Sequence, residues 1–260
     1  MIEIEGLWKE FAKGERRVLA LQDISLSVAE REFVAILGPS GCGKSTLLNM
    51  VAGFDHPTRG TVRVAGEEIV APSPRRAVVF QEPALFPWLS VMENVVFGPK
   101  TQRQAAVDYR RRAAQIIDQV GLSGFETSYP AELSGGMRQR VGIARVLIMQ
   151  PQVLLMDEPF GSLDAQTRML MQELLLKVWE RHHQTVLFIT HDIEEALLLT
   201  DRVCVMTARP GRIKKSIDVG IPRPRAIEVT TSPEFNALRR EVLALIREES
   251  ACAAIGSAGG

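Results

Sequence analysis

The chain has 260 residues, with 31 Lys and Arg against 31 Asp and Glu, 46% apolar and 24% charged. That apolar share excludes a disordered chain, and 20 Gly and 14 Pro without a period exclude a collagen-like or low-complexity one. A net charge of zero speaks against a nucleic-acid partner, and the three cysteines (Cys42, Cys204, Cys252) share no metal-ligand spacing and fit a reducing compartment.

The start, Met1-Ile2-Glu3-Ile4-Glu5, is acidic where a signal peptide is basic, and no apolar run approaches the roughly 20 residues of a membrane span. A cytosolic chain is expected, one that needs a partner to work at a membrane. Loose alternation over 20–28 and the apolar run 32–37 predict strands, and Leu47, Leu48 and Val51 predict a helix over Lys44–Ala52 stopped at Gly53. A hairpin is expected over 61–70 with Ala65-Gly66 at its turn, and a strand over 77–80. An Arg-rich helix over 101–120 and a second over 135–150 read as a helical insertion. Strands at 153–156, 185–190 and 202–207 alternate with helices over 166–181 and from Asp192, which implies a largely parallel sheet covered on both faces. Residues 209–232 read as a connector, Ser232-Pro233 opens an amphipathic helix, and the small residues 250–260 are expected to lack regular structure.

The chemistry begins at Gly38-Pro39-Ser40-Gly41-Cys42-Gly43-Lys44-Ser45-Thr46, a P-loop pattern placed between a strand and a helix as its mechanism requires. Its glycines let backbone N–H groups curl around phosphate oxygens and the helix N-terminus adds a favourable dipole. Lys44 is suited to neutralise β- and γ-phosphate charge and Ser45 to ligate Mg²⁺. Cys42, among loop amides at a helix start, is expected to have a lowered pKa. Asp157-Glu158 follows the strand 153–156 at the edge where α/β sheets bind ligands; Asp157 suits Mg²⁺ held through water and Glu158 suits polarising an attacking water. Leu133-Ser134-Gly135-Gly136 opens a helix and offers a second anion site of backbone amides.

These segments, with Gln81, Ser162-Leu163-Asp164 and Thr190-His191-Asp192, resemble in order and spacing the ATP-binding subunits of ABC transporters, from about Phe11 to Met206. The resemblance implies an α/β P-loop NTPase core with a mainly parallel sheet, an antiparallel β subdomain and a helical insertion. It divides the chain into 1–82 with the P-loop, 83–150 with the signature Ser134–Gly136, 151–208 with Asp157, Glu158 and His191, and a C-terminal extension over 209–260. It further implies a head-to-tail homodimer that binds ATP and Mg²⁺ between one copy's P-loop and the other's Ser134, Gly135 and Gly136. Gln81 would touch Mg²⁺ and the lytic water, His191 would contact the γ-phosphate and steady Glu158, and Asp164 would link the two sites. Phe11 is the family-like adenine stacker, with Trp8 competing for that role and a core position as the plainer reading. Met137 departs from the Gln common there.

Leu85, Phe86 and Trp88, between Pro83 and Pro87, suit either a docking groove for an integral-membrane permease or packing within the insertion. That stretch, with Thr207-Ala208-Arg209-Pro210-Gly211-Arg212-Ile213, is similar to the ATPases of nitrate, sulfonate, taurine and bicarbonate importers. An importer ATPase at the cytoplasmic face of the inner membrane, serving a small anionic solute delivered by a solute-binding protein, is therefore expected; an exporter or lipoprotein-release ATPase is the alternative. The stretch between Gln81 and Ser134 carries no heptads and no Cys pair, against a DNA-repair ATPase of the superfamily, and a non-catalytic regulator would lack Glu158 or His191.

Overall fold

The computed structural model describes residues 1–14 and 16–257. In chain order its elements are β1 (Ile2–Lys13), β2 (Arg16–Val28), β3 (Phe33–Leu37), α1 (Lys44–Ala52), β4 (Arg59–Val64), β5 (Glu67–Glu68), β6 (Arg76–Val79), α2 (Val91–Thr101), α3 (Ala106–Gln119), α4 (Gly135–Leu147), β7 (Val153–Asp157), α5 (Ala165–His182), β8 (Thr185–Ile189), α6 (Ile193–Leu199), β9 (Arg202–Met206), β10 (Ile213–Asp218) and α7 (Pro233–Ser257). Contacts divide the chain into two units: Met1–Ser73 with everything from His183 onward, and Pro74–His182. Among the described residues no helix is long and apolar enough to cross a membrane.

In the first unit, β1 lies between β2 and β4 in an antiparallel sheet. Ile2 pairs with Val28 and Val64, and Ile4 with Leu26 and Val62, so the period-2 alternation buries all six on one face. β3 pairs in parallel with both β8 and β9, and β10 adds an antiparallel edge to β9. Every residue of β3 and β8 is buried, as an unbroken apolar run requires when both faces are covered, and Phe33 meets Phe188 edge to face with ring centroids 5.9 Å apart. Ile36 sits beside Ile189 and Cys204, and Leu37 beside Val205, so the three parallel strands end at one edge. The loops at that edge are 38–43, 190–192 and 207–212.

The second unit pairs β6 with β7 in parallel, Val79 against Met156, and carries the helices α2 to α5. α2 opens on a capping box: Glu93 N donates to Ser90 Oγ (3.3 Å) and Ser90 N to the Glu93 carboxylate (2.8 Å).

Four expectations from the sequence are corrected. The helix foreseen over 101–120 begins only at Ala106, as α3, and Thr101 instead ends α2, a helix over Val91–Thr101 that was not foreseen; Arg103 lies in a left-handed conformation in the break between them. The helix foreseen to residue 150 ends at Leu147. Part of the supposed connector is β10, paired with β9 from Ile213 to Asp218 with Ile217 buried. The terminal small residues continue α7 through Ser257, because Ala and Ser remain compatible with helix once it is propagating; 258–260 lie outside the described residues.

Candidate nucleotide site

Gly41 (φ 75°) and Gly43 (φ 104°) turn the backbone out of β3 and into α1, whose first residue is Lys44. The Lys44 side chain is only 7% exposed, and its ammonium folds back over the loop to donate to the carbonyls of Gly38 (2.9 Å) and Pro39 (3.2 Å). Ser40, Gly41 and Ser45 form the exposed rim, while Pro39, Gly43 and Thr46 are half-buried. A buried ammonium, a turn built on left-handed glycines and the N-terminus of a nine-residue helix all favour polyanion, so these residues fit the phosphates of a nucleotide.

Cys42 does not fit its expectation. Its side chain is 1% exposed, packed under Gly38, and burial pushes the thiol pKa up although Lys44 opposes the shift. The helix-start position favours a thiolate only where solvent can reach it.

His191 follows β8 at the same sheet edge as the P-loop: Thr190 N donates to Ile36 O (3.4 Å). The segment is locked by side chains. The Thr190 hydroxyl donates to the Glu195 carboxylate, Asp192 N donates to Thr190 Oγ1 (3.0 Å), and Asp192 Oδ1 caps α6 by accepting from Glu195 N (3.1 Å). His191 itself is exposed. Phe11 is also exposed, paired with Val18 across β1 and β2, and Lys9 Nζ lies 4.9 Å from its ring; Trp8 is half-buried.

In the second unit, Gln81 and Asp157-Glu158 leave the carboxyl ends of adjacent parallel strands. A Cβ placed on Gly161 would stand 3.1 Å from Gln81 Nε2 and 3.5 Å from Glu158 O, so the glutamine amide lies against the 158–161 turn, closed by Gly161 N donating to Glu158 O (3.1 Å). Glu158 has φ 45°, a conformation costing a non-glycine residue about 1–3 kcal/mol that persists where surroundings enforce it, commonly at active sites. Asp164 caps α5: Thr167 N donates to Asp164 Oδ1 (3.0 Å), and that bond holds its carboxyl below the usual range. Ser134 caps α4 in the same way, accepting from Met137 N (3.2 Å), with Gly135 exposed beside it. Gly136 is a packing necessity, since a Cβ there would stand 2.5 Å from Thr167 Cγ2.

Sequence reasoning missed three residues here. Asn94, 1% exposed, ties down the loop holding Phe86 and Trp88: its Oδ1 accepts from Phe86 N (2.9 Å) and the two N–H groups of its Nδ2 are shared among Phe86 O, Leu89 O and Ser90 O (3.1, 2.8 and 3.0 Å). Arg145 donates to Ala84 O (2.8 Å) and lies 4.8 Å over the Phe86 ring. Arg209, in the first unit, reaches the P-loop itself through Gly41 O. An Asn on the apolar face of α2 was the available signal for the first; no local pattern marks Arg145, and Arg209 lies in the 207–213 stretch noted only for its similarity to importer ATPases.

Residues 21–161 match the ABC transporter family. The chain is 45% identical to the aliphatic sulfonates import ATP-binding protein SsuB of Bacillus cereus, over 93% of this chain and 94% of the relative. It is 49% identical to the taurine import ATP-binding protein TauB of Jannaschia sp., over 88% and 87%. Among solved structures, the dimeric post-hydrolysis state of the ATP-binding cassette MJ0796 bound to ADP and Pi matches with a TM-score of 0.73 at 32% identity, covering 85% of this chain and all of that one.

Proposed function

The chain belongs to the ABC transporter family and is an ATPase, and on that premise we propose that it drives import of a small anionic solute of the sulfonate and taurine kind. The observation that carries this reading is the near-full-length identity to two import subunits; both names favour import over export. We assign the working form to a homodimer seated on an integral-membrane permease at the cytoplasmic face of the inner membrane, with solute delivered by a solute-binding protein. In it, the segments 1–82, 83–150, 151–208 and 209–260 act as the P-loop core, the helical signature subdomain, the second core part and the C-terminal extension.

Bound Mg-ATP supplies the phosphoryl group that passes to water. Lys44 and backbone N–H groups of 40–46 hold the phosphates, and Phe11 stacks on adenine. Ser45, Asp157 and Gln81 are the residues that would hold Mg²⁺, which would offset the phosphate charge. Glu158 orients the attacking water and accepts its proton, and its enforced backbone conformation supports that role. His191 senses the γ-phosphate from a loop that Thr190, Asp192 and Glu195 keep rigid. Ser134, Gly135 and Gly136 of the second copy close on the phosphates from the N-terminus of α4, and Asp164 joins the two sites.

Leu85, Phe86 and Trp88 form the face toward the permease. Trp88 is 70% exposed, while Phe86 is held between Phe97, ring centroids 4.4 Å apart, and Trp88, 5.8 Å apart. A large aromatic left in water on a loop pinned by Asn94 and Arg145 suits a rigid docking surface.

The experiment is Glu158→Gln. ATP binding is retained and hydrolysis falls at least about a hundredfold, the scale for losing a positioned base. Turnover at the wild-type rate removes Glu158 from catalysis.

A further inference from the structure

The loop 207–212 links the P-loop to the C-terminal helix through an unbroken series of contacts. Arg209 donates from both Nε (3.2 Å) and Nη2 (3.0 Å) to Gly41 O. Its neighbour Ala208 donates from its backbone N to Glu249 Oε2 of α7 (2.9 Å), and Glu249, 8% exposed, is held in turn by Lys214 Nζ on Oε1 (2.6 Å). Lys214 also reaches Glu248 (2.7 Å).

Between these anchors the loop is stiff. Thr207 Oγ1 shares its one proton between Ala208 O and Pro210 O (both 3.0 Å) and accepts from Arg212 N (3.0 Å). Gly211 exchanges backbone bonds with β2, its N donating to Ala20 O and its O accepting from Gln22 N (both 2.9 Å). Gly211 also runs so close under the P-loop that a Cβ there would stand 2.1 Å from Cys42 O.

We propose that Arg209 is a positioning residue for nucleotide binding, setting the direction of a P-loop amide, and that Glu249 of α7 holds it in place. In a planar trans peptide the C=O and the following N–H point opposite ways. Fixing Gly41 O outward therefore fixes Cys42 N–H toward the interior of the loop, where it donates to Pro39 O (3.3 Å), the carbonyl that Lys44 also engages. Gly41 at φ 75° has the backbone freedom to rotate that peptide, so Arg209 on its oxygen and Pro39 O on its N–H hold it from both ends and keep the shape of the loop preorganised. A guanidinium bound through two N–H groups supplies one, and a carboxylate on a packed helix keeps the guanidinium's own loop from drifting.

This inference rests on the P-loop being the phosphate site, and the test separates the two. Mg-ATP affinity, ATPase kinetics and melting temperature are measured on the full chain for Lys44→Ala, Arg209→Ala, Arg209→Lys, Glu249→Ala and the Arg209→Ala/Glu249→Ala pair. Arg209→Ala raises the Mg-ATP Kd and KM about three- to tenfold, the scale of one net hydrogen bond, with kcat and melting temperature little changed. Arg209→Lys recovers part of that loss. Glu249→Ala shifts KM the same way, and the pair is no worse than Arg209→Ala alone because both act along one line. An unchanged KM in Arg209→Ala overturns the proposal, and additive losses in the pair overturn the part assigned to α7. If Lys44→Ala still binds Mg-ATP, the phosphate-site reading falls and this inference with it.

Discussion

At the scale of single residues, burial decides chemistry that position in a motif leaves open. Cys42 stands where an exposed cysteine would be reactive, but its thiol lies beneath Gly38 and burial raises its pKa. We predict that at pH 7 a maleimide labels Cys42 in the native chain far more slowly than after unfolding, read by peptide mapping so that Cys204 and Cys252 are counted apart. Cys42→Ala retains ATP hydrolysis within about threefold, since the thiol contributes packing and no phosphate contact. Fast native labelling, blocked by Mg-ATP, would contradict this burial. The turn at the neighbouring motif positions was legible because it is written in the backbone: glycines before Lys44-Ser45 allow the left-handed turn into α1 that the spacing predicts. The side-chain environment of Cys42 depends on Gly38 and on the far end of β9, where Met206 Cβ would stand 3.1 Å from a Cβ on Gly38, and no local pattern announces it.

At the scale of elements, a single ion pair ties three strands together. Arg202, at the start of β9, donates from Nε and Nη2 to Glu32 (2.7 and 3.1 Å), just before β3, and from Nη2 to Ser27 O in β2 (2.5 Å). Burial alone would raise the Glu32 carboxyl, but Arg202 and the Ala29 N–H together hold it below its ordinary value. A carboxylate whose folded pKa is depressed stabilises above its unfolded pKa of about 4.3 and loses that contribution as pH falls through the folded value. Glu32→Gln should therefore cost about 1–3 kcal/mol at pH 7 in urea denaturation, and the gap to wild type should narrow below about pH 4. A gap of equal size at both pH values would show that the charge is not what matters. Element boundaries were read well where one pattern dominated, as in β3, α1 and β7. β1 was overlooked although Ile2 and Ile4 alternate, because the register slips at the bulges beyond Ile4 and weakens the period. α2 was overlooked although Ser90 and Glu93 spell its capping box, and β10 because its half-buried edge strand depends on pairing with β9.

At the scale of the whole molecule, the order of motifs along the chain was legible and the tertiary supports of those motifs were not. Six short segments in sequence order identify the family, because phosphate, metal and water each demand a fixed residue type after a strand or before a helix. Arg145 and Arg209 act on segments distant in sequence through backbone carbonyls, which any residue presents, so nothing at the receiving end marks the contact. The C-terminal helix, foreseen only as an amphipathic addition, delivers Glu249 to the loop beside the P-loop. The central claim is that ATP hydrolysis by this chain powers solute uptake. It is tested most directly by accumulation of labelled taurine and of a linear alkanesulfonate in host cells lacking this subunit, given back either the wild-type chain or Glu158→Gln. Wild type is predicted to restore uptake of at least one of the two and Glu158→Gln neither; uptake that survives loss of the subunit, or that Glu158→Gln restores in full, would contradict the account.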